Sequence, residues 1–146
     1  MNDKIRCIQI GPDNLDLLLS ASGDIFDNPV KPEQAKAFVD DPGHLLILAT
    51  DGQQNVGFVS AVINFHPDKY PILFISEVGV VDSHQRHGIA TQMMKAMFSL
   101  GKAKGCQGCW VATEAENSPA RGLYKSLDGR EIADIVVYDW GDSGEP

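Results

Sequence analysis

The stretch that decides the fold is VVDSHQRHGIAT, residues 80–91. It continues a nearly unbroken apolar run, Ile72 to Val81, of the kind found in a central strand that is covered on both faces. It leads into residues 89–104, where apolar side chains recur at helical spacing until Gly105 ends the pattern. The sequence therefore predicts a strand, a loop and the first turn of a long helix here.

The start of that helix is suited to bind an anion. The N–H groups of a first helical turn have no intrahelical partners and carry partial positive charge. Gly88 and Ala90 leave room for a phosphate, and Arg86 and His87 could add charge-assisted hydrogen bonds. Neither the nucleotide-triphosphate string G-x-x-x-x-G-K-[ST] nor the dinucleotide string G-x-G-x-x-G occurs in the chain. From the residues alone, an ordinary helix start that contains a glycine is an equal alternative.

Length and charge restrict the function classes. The 146 residues are enough for one core, so a single domain over residues 1–146 is expected. The net charge of −8 disfavours a nucleic-acid partner and is mildly compatible with a cationic small substrate, although acidity is often only a solubility feature. We find no signal-peptide pattern and no apolar run near the roughly 18 residues of a membrane span. A cytoplasmic protein without a membrane partner is expected.

The three cysteines predict no disulfide framework. Cys7, Cys106 and Cys109 are odd in number, which fits reduced thiols. The C-x-x-C spacing of Cys106 and Cys109 has no second pair for zinc, and it precedes a strand where a redox motif would begin a helix. Two ordinary thiols near a strand are expected, and no metal site.

The remaining pattern predicts a mixed sheet with helices on both faces, an α/β (α+β) fold. The order is strand, two helices, three strands, helix, strand, helix, strand, with a hairpin signal at Asp51-Gly52. The predicted strands are residues 5–10, 45–50, 56–65, 72–81, 110–113 and 132–140; the predicted helices contain Leu15 to Leu19, and residues 32–40, 89–104 and 120–126.

Two strings give the chain a family resemblance. Gln85-Arg86-His87-Gly88-Ile89-Ala90 fits the Q/R-x-x-G-x-G/A signature of the GNAT (Gcn5-related) N-acetyltransferases, and it follows a long apolar strand as in that family. The stretch from Asn117 to Leu127 resembles the second family element, a loop opened by Asn117 and a short helix. The resemblance implies one domain with a mostly antiparallel sheet of six to seven strands and about four helices.

Within the family, the chain is similar to the aminoglycoside 3-N-acetyltransferases over most of its length. The likeness includes Gly11-Pro12-Asp13, Val56-Gly57, Ile75-Ser76-Glu77 and residues 84–91. The likeness fails around Asp27 to Lys31, where the segment is shorter than in those enzymes. That region usually lines the acceptor site, so the identity of the acceptor stays open.

The resemblance implies that acetyl-CoA is the co-substrate and that the loop binds its pyrophosphate. The pantetheine arm would lie along the strand at Val78 and Val80, with a bulge at Gly79 and an N–H near Val80 facing the thioester oxyanion. Tight packing at Gly79 and helix capping by Asn117 are the alternatives. The implied cofactor-binding residues are Val78, Val80, Gln85, Arg86, His87, Gly88, Ile89, Ala90, Thr91, Asn117, Ala120 and Tyr124.

Two residues are candidates for proton transfer. An alkylammonium has a pKa of roughly 10, so an amine acceptor must lose a proton before it attacks. Glu77 is the one charge in an apolar strand, where desolvation would raise its pKa and suit it as a base. It could instead pair with a basic group, face solvent, or only bind the ammonium. By resemblance, Tyr124 is the acid that protonates the departing thiolate; the alternative is a packing role.

The leading interpretation is an N-acetyltransferase that moves acetyl from acetyl-CoA to a primary amine of a small cationic substrate, aminoglycoside-like or polyamine-like, by direct transfer in a ternary complex. A protein N-terminal or lysine acetyltransferase is the first alternative. A non-catalytic acetyl-CoA sensor is the alternative from another class. The resemblance also allows a homodimer.

Overall fold

The computed structural model describes residues 4–20 and 25–141. The chain divides into two compact units, Met1–Thr113 and Glu114–Pro146. The described strands are β1 (Ile5–Ile10), β2 (His44–Asp51), β3 (Gln54–His66), β4 (Lys69–Val80) and β5 (Gly108–Val111). The described α-helices are α1 (Leu15–Leu19), α2 (Pro32–Asp40), α3 (Ile89–Ala103) and α4 (Ser118–Ser126). The single-domain organisation predicted from length stays a prediction.

All five strands form one mixed sheet in the first unit. Their order is β1-β2-β3-β4-β5; the first four are antiparallel neighbours and β5 runs parallel to β4. The turn between β2 and β3 contains Gly52 at a φ of 64°, a value that glycine adopts without steric cost. The α/β class and the mostly antiparallel sheet agree with the sequence prediction.

The core of this unit lies on both faces of the sheet. On one face, Leu46, Leu48 and Phe58 pack with buried residues of the α1 and α2 region. On α3, Ile89 and the methionines at positions 93, 94 and 97 are at most 2% exposed. A Cβ on Gly57 of β3 would come within 3.1 Å of Met93 Cε, so α3 covers the second face. The apolar spacing that predicted a helix over residues 89–104 is thus the pattern of the buried face of α3.

β4 contains an extra residue that changes which way its later side chains point. Ala61 pairs with Ile75 and Ser60 with Glu77, so Ser76 has no partner on β3. Before this bulge, Leu73 points to α3, where it lies 2.8 Å from a Cβ built on Gly101. One extra residue reverses the alternation of a strand. Glu77 therefore points away from the methionine core.

The predicted final strand at residues 132–140 is wrong. The second unit contains α4 and, from Arg130 to Trp140, backbone without a strand assignment. Asp134 interrupts the segment with a φ of 63°, outside the extended region. The apolar alternation that predicted the strand is present, but no described strand forms a ladder with it, and a strand needs such a partner. Within residues 4–20 and 25–141 the sheet has five strands, where six to seven were predicted.

No helix among residues 4–20 and 25–141 is long and apolar enough to cross a membrane. Cys7, Cys106 and Cys109 are free thiols, as predicted. Burial raises the pKa of all three, and for Cys109 burial and the neighbouring Cys106 raise the pKa to about 11. At neutral pH these thiols are protonated and therefore weak nucleophiles.

Candidate cofactor and acceptor site

The loop between β4 and α3 has an unusual backbone. After a 3-10 turn at Asp82–His84, Arg86 has a φ of 64° and Gly88 a φ of 77°, with His87 between them outside the positive region. Residues in the left-handed region at such close spacing can turn neighbouring N–H groups toward one point, as in the nests that bind anions. A non-glycine residue such as Arg86 at positive φ is uncommon, and such strain concentrates at functional sites.

Helix α3 begins without a capping side chain. Gly88 is its N-cap and has no side chain to accept a hydrogen bond from the first turn. The first backbone bond of the helix runs from Gln92 N–H to the Gly88 carbonyl at 3.0 Å. Across the described residues, the N–H groups of Ile89, Ala90 and Thr91 find no protein acceptor. The buried Ile89 side chain fixes the helix start while its N–H stays available.

The side chain of Gln85 holds the loop against the strand. Its Nε2 donates to the Val80 carbonyl at 3.1 Å and to the Asp82 carboxylate at 3.1 Å. The sequence predicted Gln85 as a cofactor-binding residue. In the structure its side-chain donors are used inside the protein, so it shapes the loop.

A second set of side-chain contacts fixes the loop, and it involves residues that the sequence analysis did not select. His84 Nε2 is 2.9 Å from Asp51 Oδ2, and Ser83 Oγ is 2.8 Å from His84 Nδ1. The contact joins the loop to the end of β2, 33 residues earlier in the chain. No local pattern in the sequence signals it, because the sheet brings the two positions together.

The Arg86 and His87 side chains of the loop point into solvent, where they can meet an anion. Arg86 and His87 are exposed, and neither forms an ion pair with any residue the structure describes. His87 lies edge-on to the His84 ring at 6.4 Å. A guanidinium beside uncapped N–H groups can bind a phosphate with charge-assisted hydrogen bonds.

The edge of β4 is open next to this loop. β5 pairs with Ile72 to Ile75 only, so the described sheet leaves Ser76 to Val80 without a strand on that side. Val78 and Val80 are half-buried here. A free strand edge can pair with an extended ligand.

The predicted bulge at Gly79 is wrong. Gly79 is in register with Phe58, and the bulge is three residues earlier, at Ser76. A Cβ on Gly79 would lie 2.9 Å from Phe58 Cε1 and 3.5 Å from the Ile25 carbonyl oxygen. Glycine is present because Phe58 and the segment at Ile25 pack closely there, which was the alternative interpretation.

Glu77 lies on the face of β4 that the segment from Ile25 to Val30 covers. Phe26 of this segment packs on Phe58 with ring centroids 4.5 Å apart. Burial raises the pKa of Glu77, and the charge of Asp27 raises it further. Both residues are exposed overall, so the desolvation of the Glu77 carboxyl is partial, and within the described ranges neither carboxylate has a hydrogen bond or an ion pair. The sequence analysis selected Glu77 but did not assign a role to Asp27.

The first unit thus contains three features of a candidate site. They are the carboxylate of Glu77 on an otherwise apolar part of β4, the open edge of that strand, and the start of α3 without a capping side chain. The family model of the GNAT acetyltransferases matches residues 13–128. The chain belongs to the GNAT family. This membership confirms the family predicted from the two sequence strings.

Relatives of this GNAT protein include aminoglycoside acetyltransferases. It is 26% identical to the aminoglycoside N(6′)-acetyltransferase type 1 of Salmonella typhimurium over 87 residues, which is 57% of this chain and 60% of that enzyme. The alignment thus spans less than two thirds of the relative. The chain is also similar in fold to AAC(6′)-Iy bound to the bisubstrate analogue CoA-S-monomethyl-acetylneamine, with a TM-score of 0.79, 18% identity and coverage of 94% of this chain and 98% of that one.

A second similar structure is an aminoglycoside acetyltransferase from a soil metagenome in complex with sisomicin. Its TM-score is 0.83 at 14% identity, with 95% of this chain and 97% of that chain covered. The predicted likeness to the 3-N-acetyltransferases is not supported, because the Salmonella relative and AAC(6′)-Iy are 6′ enzymes. At these identities the solved structures establish the fold of the GNAT protein.

The second unit carries the remaining predicted residues. Asn117 is the N-cap of α4, and its Oδ1 accepts a hydrogen bond from Ala120 N–H at 3.1 Å. The capping role that sequence analysis left open is therefore observed. Tyr124 is half-buried on α4, and burial raises the pKa of its phenol. A raised pKa keeps the hydroxyl protonated at neutral pH and able to donate.

Proposed function

We propose that this GNAT protein transfers acetyl from acetyl-CoA to a primary amine of a small cationic molecule, aminoglycoside-like or polyamine-like, by direct transfer in a ternary complex. The observation that carries the proposal is Glu77, an unpaired carboxylate of raised pKa on the strand that leads into the uncapped start of α3. Glu77 would serve as the base for an amine acceptor, and the start of α3 would bind the phosphates of the acyl donor.

The residues of the loop fit the pyrophosphate of coenzyme A. Donors and room for two phosphates come from three first-turn N–H groups that have no acceptor among the described residues, from Gly88 at positive φ and from the exposed Arg86. His87, Ile89, Ala90 and Thr91 belong to the same proposed contact surface. Gln85 would act indirectly, by holding the loop. Acetyl-CoA would supply an acetyl group already activated as a thioester.

The open edge of β4 would hold the pantetheine arm. Its backbone from Ser76 to Val80 lacks a strand partner toward β5 in the described sheet, and Val78 and Val80 would contact the arm. A backbone N–H near Val80 could stabilise negative charge on the thioester oxygen. Asn117 and Ala120 would complete the cofactor contacts; the amide nitrogen of Asn117 remains available while its Oδ1 caps α4.

Glu77 and Asp27 together favour a cationic acceptor. Two nearby carboxylates attract an ammonium ion, and their mutual repulsion makes it easier for Glu77 to take up a proton. Glu77 would accept the proton that the ammonium must lose before attack. Tyr124, protonated at neutral pH, would donate a proton to the departing thiolate.

The 6′ position is the preferred acceptor in the aminoglycoside version of this proposal. The Salmonella relative and AAC(6′)-Iy are both 6′ enzymes by name, although the sequence match covers only part of the former. A cytoplasmic location, the absence of a nucleic-acid partner and a homodimeric state belong to the same proposal.

A substrate panel tests the proposal. The protein would be incubated with acetyl-CoA and aminoglycosides, polyamines, amino acids or N-terminal and lysine peptides, following free thiol and the acceptor mass. We expect one added acetyl group on an aminoglycoside or polyamine amine. Acetylation of the peptides alone would replace the small-molecule acceptor with a protein. Tight coenzyme A binding without turnover on any acceptor would favour a sensor and overturn the enzymatic proposal.

A further inference from the structure

The face of the sheet that carries Glu77 also carries a hydroxyl group directly across from it. Ser60 on β3 is in register with Glu77 on β4, and residues opposite each other in an antiparallel pair share one face, with Cβ atoms about 5 Å apart. On its other side Ser60 is in register with Leu46 of β2, which packs with the α1 and α2 region. Ser60 and Glu77 therefore lie together on the face that the segment from Ile25 to Val30 covers.

Ser60 is as isolated in its strand as Glu77 is in the next one. It is the one hydroxyl residue in the apolar run from Val56 to Ile63 of β3. It is half-buried, and its Oγ has no hydrogen-bond partner among residues 4–20 and 25–141. A few polar groups placed on an apolar surface are typical of a small-molecule site, and a hydroxyl without a protein partner is available to a ligand.

The bulge at Ser76 places an aromatic ring next to this polar pair. Because Ser76 has no partner on β3, Phe74 is the residue before Glu77 on the same face of β4, and Leu73 points the other way. Such neighbours on one face of a strand lie roughly 7 Å apart. Phe74 is half-buried, and Trp110 of β5 packs on it with ring centroids 4.4 Å apart. This packing limits the orientations that the Phe74 ring can adopt beside Glu77.

These groups recognise three different features of an acceptor. The carboxylates of Glu77 and Asp27 attract an ammonium ion. The Ser60 hydroxyl can donate a hydrogen bond to another hydroxyl or accept one from it. The negative face of the Phe74 ring packs against C–H bonds and attracts cations. A linear polyamine offers only ammonium groups to these residues, whereas an amino sugar offers an ammonium, hydroxyls and the C–H face of a ring.

We propose that Ser60 and Phe74 are specificity-determining residues of the acceptor site and that they select an amino sugar over a linear polyamine. The ammonium group would lie between Glu77 and Asp27, a ring hydroxyl would bond to Ser60 Oγ, and one face of the sugar ring would lie on Phe74. The inference rests on the proposed acetyl transfer and names the acceptor class of that same site.

A set of primary amines tests the selection. The sugar 6-amino-6-deoxyglucose has a ring and hydroxyls, cyclohexylmethylamine has a ring alone, and hexylamine and cadaverine have neither. With acetyl-CoA, the unmodified protein should give the highest kcat/KM on the amino sugar and the lowest on the two linear amines. Equal values on all four, or a preference for a linear amine, would overturn this inference and leave acetyl transfer itself intact.

Variants separate the contributions of the two residues. Ser60→Ala should lower kcat/KM for the amino sugar by about 3- to 10-fold, as the loss of one hydrogen bond does, and leave cyclohexylmethylamine unchanged. Phe74→Leu should lower kcat/KM for both ring amines by about 3- to 10-fold and leave cadaverine unchanged, and Phe74→Tyr, which keeps the ring, should behave as the unmodified protein. Ser20→Ala and Phe65→Leu, both at exposed positions, are the matched controls. Losses that are equal for every amine would indicate a packing role and overturn the inference.

Binding measured without turnover separates a failure of this inference from a failure of acetyl transfer. Saturation-transfer NMR of the amino sugar would be recorded with the protein loaded with coenzyme A. If no amine is acetylated, acetyl transfer fails, but ring C–H signals that Phe74→Leu weakens and Phe65→Leu does not would still support an amino-sugar site at Phe74. Signals that are the same in both variants, or no signal from the sugar, would overturn it.

Discussion

The carboxyl group of Glu77 has a raised pKa because it is partly desolvated and lies near the charge of Asp27. A carboxyl whose pKa is higher in the folded than in the unfolded chain favours folding when protonated. Its ionisation therefore costs stability once the pH exceeds the unfolded value, and the full cost is present above the raised folded value. At neutral pH the charge of Glu77 therefore lowers the stability of the fold relative to the neutral carboxyl, which favours a functional reason for its presence.

Glu77→Gln separates function from stability. We expect kcat on the best amine to fall by roughly 10²–10⁴-fold, the usual contribution of a positioned base. The melting temperature at pH 7 should stay the same or rise, and the affinity for coenzyme A should be unchanged. Glu116→Gln, at an exposed position in the second unit, is the control and should change none of these. A fall in melting temperature would indicate a structural Glu77.

Asp27→Asn tests the electrostatic coupling between the two carboxylates. Removing the charge of Asp27 removes one cause of the raised Glu77 pKa. If Glu77 must be ionised to act as base, the acid limb of the kcat/KM profile should move to lower pH in this variant. The profile is measured with saturating acetyl-CoA, and Asp16→Asn on α1 serves as the exposed control. An acid limb that moves equally in both variants, or in neither, would contradict the assignment.

At the scale of the elements, the loop before α3 is held by a contact within the protein. His84 and Asp51 join it to the end of β2. We expect His84→Ala and Asp51→Ala each to weaken coenzyme A binding by about 0.5–1.5 kcal/mol, the net value of one hydrogen bond, through loss of loop geometry. The double variant should be no worse than either single one, as measured by calorimetry in a double-mutant cycle. Additive losses would show that the two side chains act separately.

The pairing of β3 with β4 depends on a glycine at close approach. A Cβ on Gly57 would lie 2.9 Å from the Gly79 carbonyl oxygen, and backbone cannot move aside as a side-chain tip can. Gly57→Ala should therefore lower the free energy of unfolding by about 1–3 kcal/mol, as overpacking does. Gly108→Ala, which has no atom within 4 Å of its Cβ, should cost far less in the same urea titration. Equal losses would contradict the packing argument.

The order of elements as far as α4 and the strand–loop–helix could be predicted because each depends on local pattern. The bulge at Ser76 could not be predicted, because a nearly continuous apolar run such as Ile72 to Val81 has no alternation whose phase an extra residue would change. The tie between His84 and Asp51 and the proximity of Asp27 to Glu77 depend on tertiary neighbours that spacing does not reveal. Residues 132–140 have the pattern of a strand, but pattern does not show whether a partner strand is present.

At the scale of the whole molecule, the charge of −8 should influence acceptor binding. An acidic surface attracts a polycationic aminoglycoside, and salt screens that attraction. Between about 0.1 and 1 M salt the Debye length falls from roughly 10 to 3 Å, so KM for the acceptor should rise several-fold. KM for acetyl-CoA, measured in the same series, should change less if Arg86 contacts its phosphates directly, as proposed, because salt screens short contacts less than long-range attraction. An acceptor KM that is insensitive to salt would show that the net charge of the protein does not contribute to acceptor binding.

The most direct test of the proposed acetyl transfer is the product formed from acetyl-CoA and an aminoglycoside with both 6′ and 3 amines. Mass spectrometry and NMR would give the number and position of acetyl groups, with Glu77→Gln as the matched protein. The account predicts one acetyl group on the 6′ amine, formed together with free coenzyme A and strongly slowed in the variant. An unmodified aminoglycoside, with coenzyme A bound but no thiol released on any amine, would contradict it.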